Sequence, residues 1–207
     1  MNTPRRIPTL TLAALAAAAL GAAPASVSAQ GQARATIDSP NFDNLPSPDI
    51  SAGKNKNFKP KDWLEVEAKV NVELSPKPEN GFVDQVTVKW YVAVQNPEGK
   101  GFFLLTKDVN HINIPVDEDV YFSVYLSPTT IKRLTGSDRA GKSAVDRVGL
   151  EILRNGVKIG EASSKGPEGW WNAASLSRTD KFPLLDKNQT PFKIFWWDRY
   201  AEIQEER

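Results

Sequence analysis

The sequence predicts an all-β, antiparallel sandwich with one short helix, and three observations lead there. In WLEVEAKVNVEL, Leu64, Val66, Ala68, Val70, Val72 and Leu74 alternate with Glu65, Glu67, Lys69, Asn71 and Glu73, as in a strand with one dry and one wet face. In FVDQVTVKWYVAVQ a second inward row follows: Val86, Val88, Trp90, Val92 and Val94. Between DRVGLEIL and VKIGEAS stands Asn155-Gly156, a strong hairpin signal, because both central positions of such a turn need positive φ. Together these predict seven or eight strands joined mostly by tight turns, an immunoglobulin-like sandwich, with a barrel as the rival closure.

The elements follow in order. Residues 30–61 mix Pro40, Pro46, Pro48 and Pro60 with Asn, Ser, Asp and Lys and keep no regular period, so they read as a loop-like N-terminal extension. The sandwich domain is expected over 62–207. Its first strand ends at the turn SPKPENG and its second at NPEGKG. Shorter strands are expected at FFLLTK, VNHINIPV and VYFSVYL. In LSPTTIKRLTG, Ser127-Pro128 starts a short helix, Ile131 and Leu134 share one face, and Gly136 ends it. After the hairpin a long connection leads to a last strand, FKIFWWDRYAEI.

The first residues set the compartment. Arg5 and Arg6 precede an apolar run of 17 residues, Ile7 to Ala23, and Val27-Ser28-Ala29 is a small-x-small site. That order marks residues 1–29 as a secretory signal peptide. A retained membrane anchor is the alternative, but a run so short and so poor in large apolar residues, followed at once by Pro24, is marginal for spanning. No retained membrane helix is expected, and the mature chain is placed in the periplasm, on the outer-membrane surface or outside the cell. Cleavage leaves 178 residues and takes the formal charge from +1 to −1, because Arg5 and Arg6 leave with the signal. A near-neutral chain has no global field to draw in nucleic acid. With no cysteine and one histidine, the chain holds no disulfide or thiol chemistry, and its core alone must hold the fold.

One motif invites an enzyme reading. Residues 136–143, GSDRAGKS, match the phosphate-cradling pattern G-x-x-x-x-G-K-S. That loop requires a buried strand before it and a helix after it, so that phosphates meet the helix N-terminus. Here a helix precedes and a strand follows, so no nucleotide is expected. Asp117-Glu118-Asp119 is read as a solvated turn rather than a calcium site, and no metal or other cofactor is expected. His111 reads as structural. A pair of carboxylates suited to glycoside hydrolysis stays open, because separation in space is invisible here.

The tryptophans carry the binding hypothesis. Trp90 belongs to the core, and Trp63 covers the end of the first strand. Adjacent residues of a strand face opposite ways, so one of Trp196 and Trp197 should be buried and the other outward. Trp170 and Trp171, in the 166–176 loop, are expected to fold over that outward ring as a cover. The functional alternative is an aromatic platform of Trp170, Trp171, Trp196 and Trp197, extended by Tyr200 and Tyr121, for a protein partner or a sugar ring.

LSPTTIKRLTG, EILRNGVKIGEAS and KIFWWDRYAEI, in that order, resemble small exported proteins of Verrucomicrobia, of the Akkermansia type, encoded beside a type IV pilus-like cluster. The resemblance covers most of 62–207. It implies an immunoglobulin-like domain related in shape to archaeal type IV pilus subunits, with a role in surface assembly rather than catalysis. One departure matters: pilins are processed ahead of a hydrophobic helix that they keep, and usually carry an acid early in it. Here the small-residue site lies behind the apolar run, and the run holds no acid. A soluble accessory protein is implied, with protein partners in the envelope or pilus-like assembly. A glycan-binding module and a carboxylate hydrolase are the other readings.

Overall fold

The computed structural model describes residues 31–49, 59–137, 139 and 141–205. Residues 1–29, where a signal peptide is expected, residues 50–58 of the extension, and Asp138 and Ala140 of the GKS octamer lie outside the described residues.

In chain order the elements are strands β1 (Gln32–Ile37), β2 (Asn41–Pro46), β3 (Asp62–Ser75), β4 (Phe82–Gln95), β5 (Phe102–Pro115) and β6 (Asp119–Leu126). Helices α1 (Pro128–Thr135) and α2 (Gly141–Ala144) follow, then β7 (Val145–Arg154), β8 (Val157–Ser163), β9 (Ser177–Arg178), β10 (Leu185–Asp186) and β11 (Glu202–Ile203). Sheet one runs β1-β3-β6-β10, with β2 also on β3. Sheet two runs β11-β5-β4-β7-β8, with β9 parallel to β5. The chain is an all-β sandwich, and eight of the eleven strands among the described residues are six residues or longer.

The alternating rows meet between the sheets. Leu64, Val66, Ala68, Val70 and Val72 of β3 face Val86, Val88, Trp90, Val92 and Val94 of β4, all of them buried. Helix α1 starts and stops where its residues predict. Ser127 Oγ accepts from Thr130 N, Pro128 holds the first turn, and Gly136 ends the helix at φ 76°. Asn155 and Gly156 adopt φ 51° and 76° between β7 and β8, the left-handed pair that the hairpin needs.

Three expectations are corrected. The extension is not loop-like throughout: β1 and β2 pair antiparallel along the outer edge of β3, Gln32 opposite Ser75 and Asn41 opposite Glu67. Edge strands bury little, which hides their period, and β2 tolerates Pro46 because an edge position leaves an N–H free of the ladder. FFLLTK and VNHINIPV are one strand, β5, paired with β4 from Phe102 opposite Gln95 to Pro115 opposite Phe82. FKIFWWDRYAEI is not a strand. Pro191–Ile194 is a 3-10 turn capped by Thr190, Trp196 turns at φ 53°, Tyr200 makes a single bridge to Tyr121, and Glu202–Ile203 is a two-residue strand.

The C-terminal arm links the sheets. Tyr121 of β6 donates to Arg199 O at 3.2 Å and accepts from Ala201 N at 3.0 Å. Immediately after Ala201, Glu202 and Ile203 pair with Ile112 and His111 of β5 in the other sheet. Beneath this crossing lies buried His111. Its Nδ1 is 3.3 Å from Ala201 O and its ring 4.5 Å from Phe122.

Candidate interaction surface

Trp170 and Trp171 sit on the outer face of sheet two, in a 3-10 turn entered through Gly169 at φ 76°. Trp171 stacks flat on Tyr91, with centroids 4.7 Å apart and planes 3° from parallel. The space comes from Gly149, where a Cβ would stand 2.3 Å from the indole. Trp170 meets Trp171 edge-on, donates from Nε1 to Ser163 Oγ at 3.0 Å, and carries the Arg147 guanidinium 5.1 Å from its ring. With Ala93 and Leu104 they form a second, smaller core. The pair is a cover, but for Tyr91. It does not lie over Trp196 or Trp197, and being buried it offers no platform.

Trp196, Trp197 and Tyr200 lie elsewhere, on the arm that wraps the outer face of sheet one. Phe192 anchors it, buried, stacked 5.3 Å from Tyr125 and edge-on at 5.8 Å to Trp63. A polar clamp lies alongside. Tyr125 donates to Glu65 at 2.7 Å, and the Tyr200 hydroxyl is 3.0 Å from both Glu65 and Glu67. A phenol has one proton, so the second of those contacts is a hydrogen bond only when a carboxyl holds a proton. Burial raises Glu65 above the usual carboxylate range, against the opposing hydrogen bonds of Tyr125 and Tyr200. Arg199 reaches both Glu67 oxygens at 3.0 Å and lies 3.6 Å over the Tyr121 ring. Buried Lys187 donates to Phe195 O and sits 5.2 Å from the Tyr200 ring and 5.7 Å from Trp197. Desolvation lowers its pKa.

The result is an apolar ridge facing out. Ile194 is 56% exposed, Trp196 47% and Trp197 64%. Both indoles face outward because the segment is no strand and its alternation rule does not apply. A positive φ at a bulky residue such as Trp196 persists only where its surroundings over-determine it. Phe192 and Phe195, at 6.2 and 5.6 Å from its ring, supply that hold. Sequence reasoning missed Glu65, Glu67, Tyr125, Lys187 and Phe192. Glu65 and Glu67 looked like an ordinary wet face, and their i, i+2 spacing under a later tyrosine-arginine pair was the one available signal. As neighbouring carboxylates they are engaged in holding the arm.

The GKS segment is fastened to β2: Lys142 Nζ pairs with Asp43 at 3.2 Å, and Lys142 N donates to Asn44 Oδ1 at 3.1 Å. Gly141–Ala144 makes one helical turn before β7. ATP or GTP is therefore expected to leave the melting temperature unchanged, in the wild type and in Lys142→Ala alike. A nucleotide-dependent rise in the wild type would overturn this. In the acidic turn, Asp117 pairs with Lys77 at 2.8 Å and Asp119 with Lys69 at 3.3 Å. Among the described residues no helix is long and apolar enough to cross a membrane.

A family model matches residues 26–207. A crystal structure of a protein from Akkermansia muciniphila matches with a TM-score of 0.80 and 36% identity, over 86% of this chain and 96% of that one. No curated protein matches. The match spans both sheets, including the edge strands β1 and β2 that fall within residues 26–207. On these grounds the chain belongs to the matched family, as a β-sandwich relative of the Akkermansia muciniphila protein.

Proposed function

We propose that this protein is a non-enzymatic, exported interaction domain, accessory to a type IV pilus-like or cell-envelope assembly, and that Ile194, Trp196 and Trp197 form its contact surface. The observation that carries the proposal is the ridge itself: two large indoles held outward beside a hydrogen-bonded clamp rather than folded in. Exposed aromatics on a pre-ordered base bind with little loss of side-chain freedom, and Trp is the residue most enriched where binding energy concentrates. The proposed location is the periplasm, the outer-membrane surface or the medium.

Trp196→Ser/Trp197→Ser tests it. Both side chains lie on the surface outside the main core, so the melting temperature is expected to stay within about 2 °C of the wild type. Recovery of envelope partners by the mature protein should fall. Trp170→Ser/Trp171→Ser is the control, expected to lose stability while keeping the same partners. Unchanged recovery by the 196/197 variant would overturn the proposed surface, and a glycan-array signal lost in that variant would favour the sugar-binding reading.

A further inference from the structure

The clamp beneath the arm brings two carboxyls onto one phenol. Glu65 and Glu67 come from β3, Ser123 and Tyr125 from β6, and Arg199 and Tyr200 from the arm. Ser123 donates to the Tyr125 hydroxyl at 3.0 Å, and Tyr125 donates to Glu65 Oε1 at 2.7 Å. The Tyr200 hydroxyl stands 3.0 Å from that same Glu65 oxygen and 3.0 Å from Glu67 Oε2. From the far end Arg199 donates to both Glu67 oxygens.

With both carboxyls ionised, the single Tyr200 proton serves one of them, and the other meets a phenol oxygen with no hydrogen between. One added proton resolves the conflict, and the neighbours set its place. Glu67 already receives Arg199 on both oxygens, so the proton belongs on Glu65. The bonds then run one way, from Ser123 through Tyr125, Glu65 and Tyr200 to Glu67. Other charges nearby are engaged elsewhere. Asp43 stands opposite Glu65 on β2 and pairs with Lys142. Lys187, 5.2 Å from the Tyr200 ring, donates to Phe195 O. Burial and the Glu67 charge favour the neutral Glu65 acid, against the Tyr125 and Tyr200 hydrogen bonds and the Arg199 charge.

We propose that a proton on Glu65 latches the C-terminal arm to sheet one, so that the arm loosens as rising pH removes it. Tyr200 is the link: its hydroxyl lies between the carboxyls, and its chain neighbours Arg199 and Ala201 hold the main chain of Tyr121. Loosening there releases the segment that bears Trp196 and Trp197. That consequence for binding rests on the ridge as the contact surface. The latch itself does not, and it is measured on the free protein. His111, beneath the same crossing, acts the other way in acid.

Exchange of the Ala201 amide, which donates to Tyr121 O at 3.0 Å, reports the docked arm. Glu65→Gln imitates the protonated acid: its amide N–H can donate to Tyr200 while its carbonyl accepts from Tyr125. It leaves His111 in place, so the ratio between the two proteins isolates Glu65. At about pH 4 Ala201 should be equally protected in both, and by about pH 8 the wild type should be about tenfold less protected than E65Q. Amides of β4 should stay alike in the two proteins. A second measurement needs no substitution. In the wild type, the loss of Ala201 protection should be complete once the carboxyl carbon of Glu65 has titrated by NMR. Equal protection of both proteins at every pH, or protection that holds its value through the Glu65 titration, would overturn the latch. Partner recovery enters neither readout, so the ridge can fail while the latch stands.

Discussion

Trp90→Ala is expected to cost about 3–5 kcal/mol, the range for deleting a large aromatic from a packed core. Trp90 sits at the centre of the longest ladder, opposite Lys107 on one side and Leu150 on the other, and is fully buried. Its Nε1 has no hydrogen-bond partner, so the loss is one of packing and transfer rather than of a polar contact. Strands β5 and β7 flank the site and are each tied along most of their length to β4, so the walls are poorly placed to collapse into the void. Urea unfolding of both proteins measures the difference. A cost below about 1 kcal/mol would mean that the indole does not fill the space between the sheets.

Acid should weaken the fold through His111. Burial pushes its pKa down to about 4, against the opposing pull of the Ala201 and Glu202 carbonyls and the Asp186 charge. Its Nδ1 is engaged with Ala201, and its buried Nε2 has no partner to receive a second proton. In the unfolded chain the same imidazole titrates near 6.5. Between these values the unfolded state binds more protons, so stability is complete above about pH 6.5 and falls as pH drops toward about 4. The share lost is about 3 kcal/mol. Glu65 works in the opposite direction: with its folded pKa raised, its share is present at low pH and lost as pH rises through that value. Asp43 and Asp119 are held low chiefly by hydrogen bonds from Asn44 and Asn71, so their shares are lost at still lower pH. Comparing wild type with His111→Phe at each pH isolates the imidazole. The variant should lose the slope between pH 6.5 and 4, and an identical slope in both proteins would refute the assignment.

What was legible in the sequence, and what was not, divides by how local the cause is. The inward rows of β3 and β4 were plain, because each strand runs 14 residues with one face dry. The caps of α1 and the Asn155-Gly156 turn were plain too, since each is decided by two or three adjacent residues. Tyr91 and Ala93 looked exposed by alternation, yet both are buried, because a loop some 80 residues later lays Trp171 over them. The arm from Phe192 to Ile203 has the aromatic content of a strand, and only its tertiary partners show otherwise. Phe192 needs Tyr125 and Trp63, and Tyr200 needs Glu65 and Glu67. The candidate surface was thus half visible: its tryptophans were named, but not the clamp that turns them outward.

The crossing of the arm from β6 to β5 also orders events during synthesis. A nascent chain leaves the ribosome with β5 and β6 made long before residues 199–204, which seal one edge of each. Until those residues emerge, the growing chain carries two unsealed sheet edges, the feature by which strands of different molecules find one another. Closure therefore comes late in chain order, after every longer strand has been made. Whatever binds the unfinished chain must release it before the arm can dock.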